Sequence, residues 1–179
     1  MRGLVYPTCS AQGVRQLRKV LIFGNSGSGK STLAKTLVNK EKGLAHLDLD
    51  VVAWLPETPP QRAPLKKSKH KIENFIISNT AWVIEGGYTD LLEIAAPFAN
   101  EAVFMNLSIL ECVENAKNRP WESHKYENRE AQDNNLKMLM NWIEKYTERD
   151  DVFSFNSHLR FYEGFVGKKL MSTKNESHT

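Results

Sequence analysis

Apolar positions along the chain fall into short dense runs separated by longer periodic segments, a pattern that predicts strands and helices in turn. Val20-Leu21-Ile22-Phe23 is a compact β-prone run, and Ser31 to Asn39 then sets Leu33, Ala34, Leu37 and Val38 on one helical face. Leu44 to Asp50 reads as a second strand ending in two carboxylates, after which Pro56, Pro59, Pro60 and Pro64 break any regular element. Ile72, Phe75 and Ile76 recur with helical spacing and predict a helix from about Leu65 to Asn79. Trp82-Val83-Ile84 makes a third strand closed by Glu85-Gly86-Gly87, and Glu101 to Leu107 holds a fourth, Ala102-Val103-Phe104-Met105. Ser108 is placed to cap a helix over Ile109 to Asn118. A polar stretch from Lys117 to Arg129 precedes a long helix marked by Leu136, Leu139, Met140 and Ile143, and a helical Phe153 to Phe165 and a strand at Lys169 to Met171 close the pattern.

Strands that alternate with helices imply an α/β fold, a parallel sheet with helices on both faces and right-handed crossovers. In such sheets ligands bind beyond the carboxyl ends of the strands. The polar residues that follow the first three strands are therefore expected to converge on one cleft.

The first of those polar groups is the most specific. Gly24-Asn25-Ser26-Gly27-Ser28-Gly29-Lys30-Ser31 is a complete G-x-x-x-x-G-K-[ST] loop, standing between a strand and a helix as the motif requires. Glycines let successive backbone N–H groups approach phosphate oxygens, Lys30 reaches the β- and γ-phosphates, and the Ser31 hydroxyl can ligate Mg²⁺. The segment Gly24 to Thr32 is thus expected to bind ATP with Mg²⁺ as cofactor.

Composition narrows the class. With 179 residues, 41% hydrophobic and 25% charged, the chain has the size and make-up of one globular domain. A domain over residues 19–171 is expected, with a flexible extension at 1–18 and a flexible tail at 172–179. The net charge of +3 argues against nucleic acid as a partner. The basic run Lys66-Lys67-Ser68-Lys69-His70-Lys71 reads as a solvated helix face, or alternatively as an electropositive wall beside an anionic substrate. Cys9 and Cys112 form no C-x-x-C or Cys/His cluster, which fits a reducing cytoplasm and excludes a zinc site of that kind. No apolar stretch approaches the roughly 20 residues of a membrane span, and Met1 to Lys19 lacks the apolar core of a signal peptide, so no membrane partner is expected. Oligomeric state is not written in the sequence.

Phosphoryl transfer needs a triphosphate cradle, a metal, a positioned acceptor and cations for the charge on the transferred group. Asp48 and Asp50 share one side of a strand by period two; Asp48 is the expected metal ligand and Asp50 the group that binds an acceptor hydroxyl, unless one of them only caps the next segment. Glu85 ends a buried-looking strand, a costly place for a carboxylate without a metal or proton to serve, so it rivals Asp50 as general base. Gly86 and Gly87 suit close approach of a substrate and equally a tight turn. Arg119 leaves a helix end for a lid-like segment, about 117–129, and is the expected transition-state cation, against a plain surface role at a helix terminus. Lys125 and Arg129 are weaker candidates there. Arg62, in the proline-rich insertion over about 51–79, suits an anionic acceptor, and His158 and Arg160 either border the nucleotide base or are packed and solvent-facing.

Together these residues resemble the small P-loop kinases of the shikimate kinase and adenylate kinase group, over about residues 19 to 171. The likeness rests on Gly24 to Ser31, on His46-Leu47-Asp48-Leu49-Asp50, on Glu85-Gly86-Gly87 and on Arg119-Pro120. Trp82 to Tyr88 and Arg119-Pro120-Trp121 also resemble a bacterial set known as topology modulation proteins or AAA-type ATPases. The resemblance implies a P-loop NTPase three-layer αβα sandwich, with a five-stranded parallel sheet of nucleoside-monophosphate-kinase type and a lid. Glu85 stands where shikimate kinases have the first of three glycines, which speaks against shikimate as acceptor. Glu85 to Asp90 lacks the proline and arginine that adenylate kinases carry there, which speaks against a nucleoside monophosphate. The expected activity is transfer of a phosphoryl group from ATP to a small-molecule acceptor. The alternative is a regulatory ATPase acting on a macromolecular partner. A GTPase is disfavoured because the chain has neither N-K-x-D nor D-x-x-G.

Overall fold

The computed structural model describes residues 17–57, 59–121 and 127–174. Five strands, β1 (Lys19–Gly24), β2 (Ala45–Asp48), β3 (Trp82–Glu85), β4 (Glu101–Met105) and β5 (Lys168–Ser172), pair in the order β2-β3-β1-β4-β5. All four pairings are parallel. The helices between them are α1 (Lys30–Lys40), α2 (Asp50–Ala53), α3 (Leu65–Ser78), α4 (Thr89–Ala95), α5 (Ile109–Lys117), α6 (Arg129–Glu144) and α7 (Phe155–Gly164).

The central strands are apolar on both faces because both faces are covered. Alternate side chains sort into two cores. Val20, Ile22, Val83, Val103 and Met105 pack with residues of α1, α5 and α6, including Ala34, Cys112 and Ile143. Leu21, Phe23, Ile84, Ala102 and Phe104 pack with residues of α2, α3, α4 and α7, including Val52, Ile72, Leu91 and Phe161. The result is the expected αβα sandwich. Phe23 is the keystone of the second core: its ring stacks on Phe104 at 5.1 Å between centroids and meets Phe161 edge-on at 5.0 Å.

Local chemistry ends the elements where the sequence marks them. Ser108 and Glu111 form a reciprocal capping box at the start of α5, and Asn128 and Ser154 cap α6 and α7 by accepting backbone N–H bonds. Pro64 precedes α3, whose lysines 66, 67, 69 and 71 are exposed while Ser68 is buried and donates to the Val52 carbonyl at 2.8 Å.

Three expectations need correction. Asp50 is not a strand residue: β2 stops at Asp48, whose carboxylate accepts the Asp50 N–H at 2.9 Å and turns the chain into α2. The short helix α4 has no counterpart in the sequence reading. Ser172 belongs to β5 rather than to a tail, and Arg18 already joins the domain by pairing with Glu41 and Glu101. Cys9, Lys125 and the ends of the chain, 1–16 and 175–179, lie outside the described residues.

Truncating Phe23 to alanine should lower the unfolding free energy by about 3–5 kcal/mol in urea titrations, as for other large buried aromatics. A loss below about 1 kcal/mol would contradict its place at the centre of the α7-side core.

Candidate active site

β1 delivers the chain into a turn that no ordinary side chain could follow. Gly24, Gly27 and Gly29 all have positive φ, at 146°, 76° and 85°. A Cβ at Gly24 would lie 2.3 Å from the Met105 carbonyl oxygen, and one at Gly27 would lie 2.2 Å from that of Cys112. The loop is therefore clamped between the end of β4 and helix α5 with its backbone bare. It feeds directly into α1, whose first-turn N–H groups have no carbonyl within the helix to bond and whose dipole end is positive. Lys30 opens that helix and donates from Nζ to the Asn25 carbonyl at 2.8 Å. Asn25 itself is buried and tied to α6 through the Ile143 carbonyl at 3.1 Å. A triphosphate fits this cradle, and the buried, unpartnered Ser28 hydroxyl adds a polar atom without a protein bond.

Beyond the loop lies a cavity of about 290 Å³. It is lined by Gly24, Asn25, Ser26, Gly27, Lys30 and Ser31 from the loop, by Asp48, Asp50, Glu85, Gly86 and Gly87 from the ends of β2 and β3, and by Arg119 beyond α5. The three polar clusters do converge. Ser28, Gly29 and Thr32 do not line it, and Thr32 faces solvent on the first turn of α1. Arg62 does not line it either. An antiparallel bridge between Trp54 and Arg62 closes the proline-rich loop, and the Arg62 guanidinium pairs with Asp90 at 2.8 Å and lies 4.7 Å over the Tyr88 ring.

Glu85 is 2% exposed, and its Oε1 makes no hydrogen bond; His46 Nε2 lies 3.7 Å away. Burial alone would raise its pKa, but the His46 imidazole, the Lys30 ammonium and the Ser31 hydroxyl outweigh it and hold the carboxyl below its ordinary value. Glu85 is thus an ionised carboxylate with an unsatisfied oxygen. Lys30 is pushed the other way: removal from solvent lowers its pKa against the pull of Glu85 and Asp50. Among the described residues no group of three His, Cys, Asp or Glu could hold a metal by itself. The hard oxygen donors of Ser31, Asp48 and Glu85 nevertheless fit Mg²⁺, which takes one or two protein oxygens and completes its shell with phosphate and water.

Sequence reasoning missed about a third of the lining. Trp54, Tyr88, Leu139, Trp142, Arg149 and Phe153 also face the cavity, with His158 behind them. The Tyr88 hydroxyl accepts from Trp54 Nε1 at 2.7 Å and donates to Asp50 Oδ1 at 2.5 Å. An indole N–H can only donate and a carboxylate only accept, so the direction of this chain is forced. Burial, then the Asp50 charge, raises the Tyr88 pKa far beyond its ordinary value and keeps the phenol protonated. Gly86 has no side chain because Leu49 Cβ stands 2.8 Å from where its own would be. Tight packing is thus one demand on the double glycine.

His158 is fully buried, as the packed alternative held, whereas Arg160 is exposed. Its Nε2 lies 2.9 Å from the Gly87 carbonyl and its Nδ1 2.6 Å from the Tyr146 hydroxyl. A carbonyl accepts only, so Nε2 carries the proton and Tyr146 donates to Nδ1. The imidazole is neutral, its pKa pushed down by burial to about 4.

No family model matches the chain, and no curated protein sequence matches it. Its fold is similar to the shikimate kinase from Acinetobacter baumannii in complex with shikimate, at 14% identity and a TM-score of 0.54, covering 90% of this chain and 86% of that one. It is similar to a gluconokinase from Sinorhizobium meliloti 1021 at 15% identity and a TM-score of 0.51, covering 90% and 85%. A chain in the Pnkp1/Rnl/Hen1 RNA repair complex aligns at 17% identity and a TM-score of 0.47, over 79% of this chain and 49% of that one, so this chain spans about half its length. At these identities the first two show the fold, that of the P-loop kinases. Among the described residues no helix is long and apolar enough to cross a membrane.

The buried neutral histidine has a consequence for stability. Its folded pKa lies below the ordinary 6.5, so unfolding takes up a proton between pH 6.5 and about 4, and stability present above that window is lost as pH falls through it. Urea titrations should show a decline from pH 7 to pH 4 that is about 3 kcal/mol steeper in the parent than in His158→Gln. Equal pH slopes for the two proteins would contradict a neutral His158.

Proposed function

We propose that the protein is an ATP- and Mg²⁺-dependent phosphotransferase acting on a small-molecule acceptor. The observation that carries this reading is the convergence of a phosphate cradle, three carboxylates and Arg119 on one cavity of small-molecule size. Its location at the carboxyl ends of the strands supports it too.

In this reading the loop N–H groups and Lys30 hold the β- and γ-phosphates. Ser31 and Asp48 hold the metal, with Glu85 beside Ser31 supplying a second carboxylate to that side. Bound Mg²⁺ would neutralise charge on the β- and γ-phosphate oxygens. Asp50, held at Oδ1 by Tyr88, orients the acceptor hydroxyl. The hydroxyl oxygen bonds to the γ-phosphorus as the bond to the β,γ-bridging oxygen breaks, ADP leaves, and the hydroxyl proton passes to Asp50. Arg119 stabilises the charge on the group in flight. The small cavity and the modest net charge support a small acceptor over nucleic acid. No membrane partner and a cytoplasmic setting are part of the same proposal.

The test is ADP release from MgATP across a panel of alcohols, sugars, nucleosides, nucleotides and amino alcohols, with Lys30→Ala as the blank. Acceptor-dependent release is expected, abolished in the blank, and lowered on the order of a thousandfold in Arg119→Ala as for other transition-state arginines. Slow release indifferent to every acceptor would overturn the reading in favour of an ATPase awaiting a macromolecular partner, as the likeness to topology modulation proteins suggests.

A further inference from the structure

The acceptor half of the cavity is built largely from aromatic rings, and most of its polar side-chain groups besides Asp50 are bonded within the wall, the Arg149 Nε being left without a hydrogen bond. Starting at Asp50, the wall runs from Trp54 through its hydrogen bond to Tyr88, then to Phe153 at 4.8 Å between centroids, then to Trp142 at 5.4 Å. Tyr88 and Phe153 are interior to this row. Trp54 and Trp142 are 38% and 37% exposed and both line the cavity, Trp142 with one side of its ring stacked on the Arg149 guanidinium.

Hydrogen-bonding capacity on this side is low. The Tyr88 hydroxyl both donates and accepts within the wall. Arg149 stacks 3.6 Å over the Trp142 ring and gives Nη1 to the Trp142 carbonyl at 3.2 Å and Nη2 to the Phe153 carbonyl at 3.1 Å, with Asp151 3.8 Å from its Nε. His158 is committed at both ring nitrogens. A polyol brings several hydroxyl groups into such a space, and each one left without a partner costs the loss of its water bonds. A flat unsaturated ring asks for the reverse: apolar surface, π-faces and few polar partners. A quaternary ammonium would also suit aromatic rings, but the guanidinium of Arg149, already stacked on Trp142, opposes a cationic ligand there.

We infer that the acceptor carries a planar aromatic or heteroaromatic ring beside its phosphoryl-accepting hydroxyl, and that Trp54 and Trp142 select it. The inference rests on the phosphotransferase reading and narrows it to aryl and heteroaryl alcohols, nucleosides among them. Non-aromatic polyols such as gluconate and shikimate are excluded as preferred acceptors.

Binding and turnover should be measured side by side. Tryptophan fluorescence of the full chain with MgADP is titrated with ribonucleosides, with hydroxymethyl-substituted aromatic and heteroaromatic rings, and with gluconate, shikimate and glycerol; ADP release from MgATP is followed with the same compounds. A ring-bearing alcohol is expected to quench saturably and to stimulate release. Trp54→Ala and Trp142→Ala should each weaken its binding about tenfold or more, the usual loss for a stacked base, while MgATP affinity stays within about twofold and shows the variants to be folded. Ring binding without acceptor-dependent release would support the ring-selective wall and sink the kinase reading. Polyol-dependent release unchanged in both variants would overturn the inference and keep the kinase reading. Absence of saturable quenching by every ring-bearing compound would overturn it as well.

Discussion

The carbonyl oxygens of Met105 and Cys112 stand where side chains at Gly24 and Gly27 would have to go. That exclusion fixes the phosphate loop against β4 and α5 at once, and most of what the protein can do follows from it. The loop can only pass with bare backbone, folded on itself by the Ser26 N–H to Asn25 Oδ1 and Ser28 N–H to Asn25 carbonyl bonds, and it leads straight into α1 at Lys30. β1, in the middle of the sheet, then sets the loop level with the ends of β2 and β3, because Ile22 pairs with Glu85 and Glu85 with Asp48. One steric constraint at the sheet centre thus brings a cradle, a buried carboxylate and a strand-end aspartate within reach of a single ligand.

Charge in the cavity is arranged as opposed pairs. Lys30 is desolvated and tied to a backbone carbonyl, and Glu85 is ionised with an oxygen unbonded, each tolerable because the other is near. On the proposed reading, a triphosphate with its metal would give both a stronger partner. The neutral His158 behind Gly87 adds no competing charge while fixing the turn that separates the phosphate side from the aromatic side.

Much of this was legible in the sequence because it is local. Strands β1, β3 and β4 are buried on both faces and so read as short dense apolar runs; the loop motif has a fixed spacing; Ser108 and Glu111 sit at capping distance. Where the sequence misled, a tertiary contact decided. The strand expected over Leu44 to Asp50 stops short at Asp48, because the Asp48 carboxylate takes the Asp50 N–H and helix follows. Helix α4 is seven residues long with no side-chain cap, too short to announce itself by period. The aromatic wall could not be read at all. Trp54, Tyr88, Trp142 and Phe153 come from four separate segments, and each alone looks like an ordinary core or surface residue.

The central claim, that this cavity moves a phosphoryl group from ATP to an alcohol, is tested most directly by following the phosphorus itself. In ³¹P NMR of the protein with MgATP and a ring-bearing alcohol, the account expects a phosphate-ester resonance to grow as the γ-phosphate signal declines. Growth of inorganic phosphate alone, at the same rate with and without the alcohol, would contradict it.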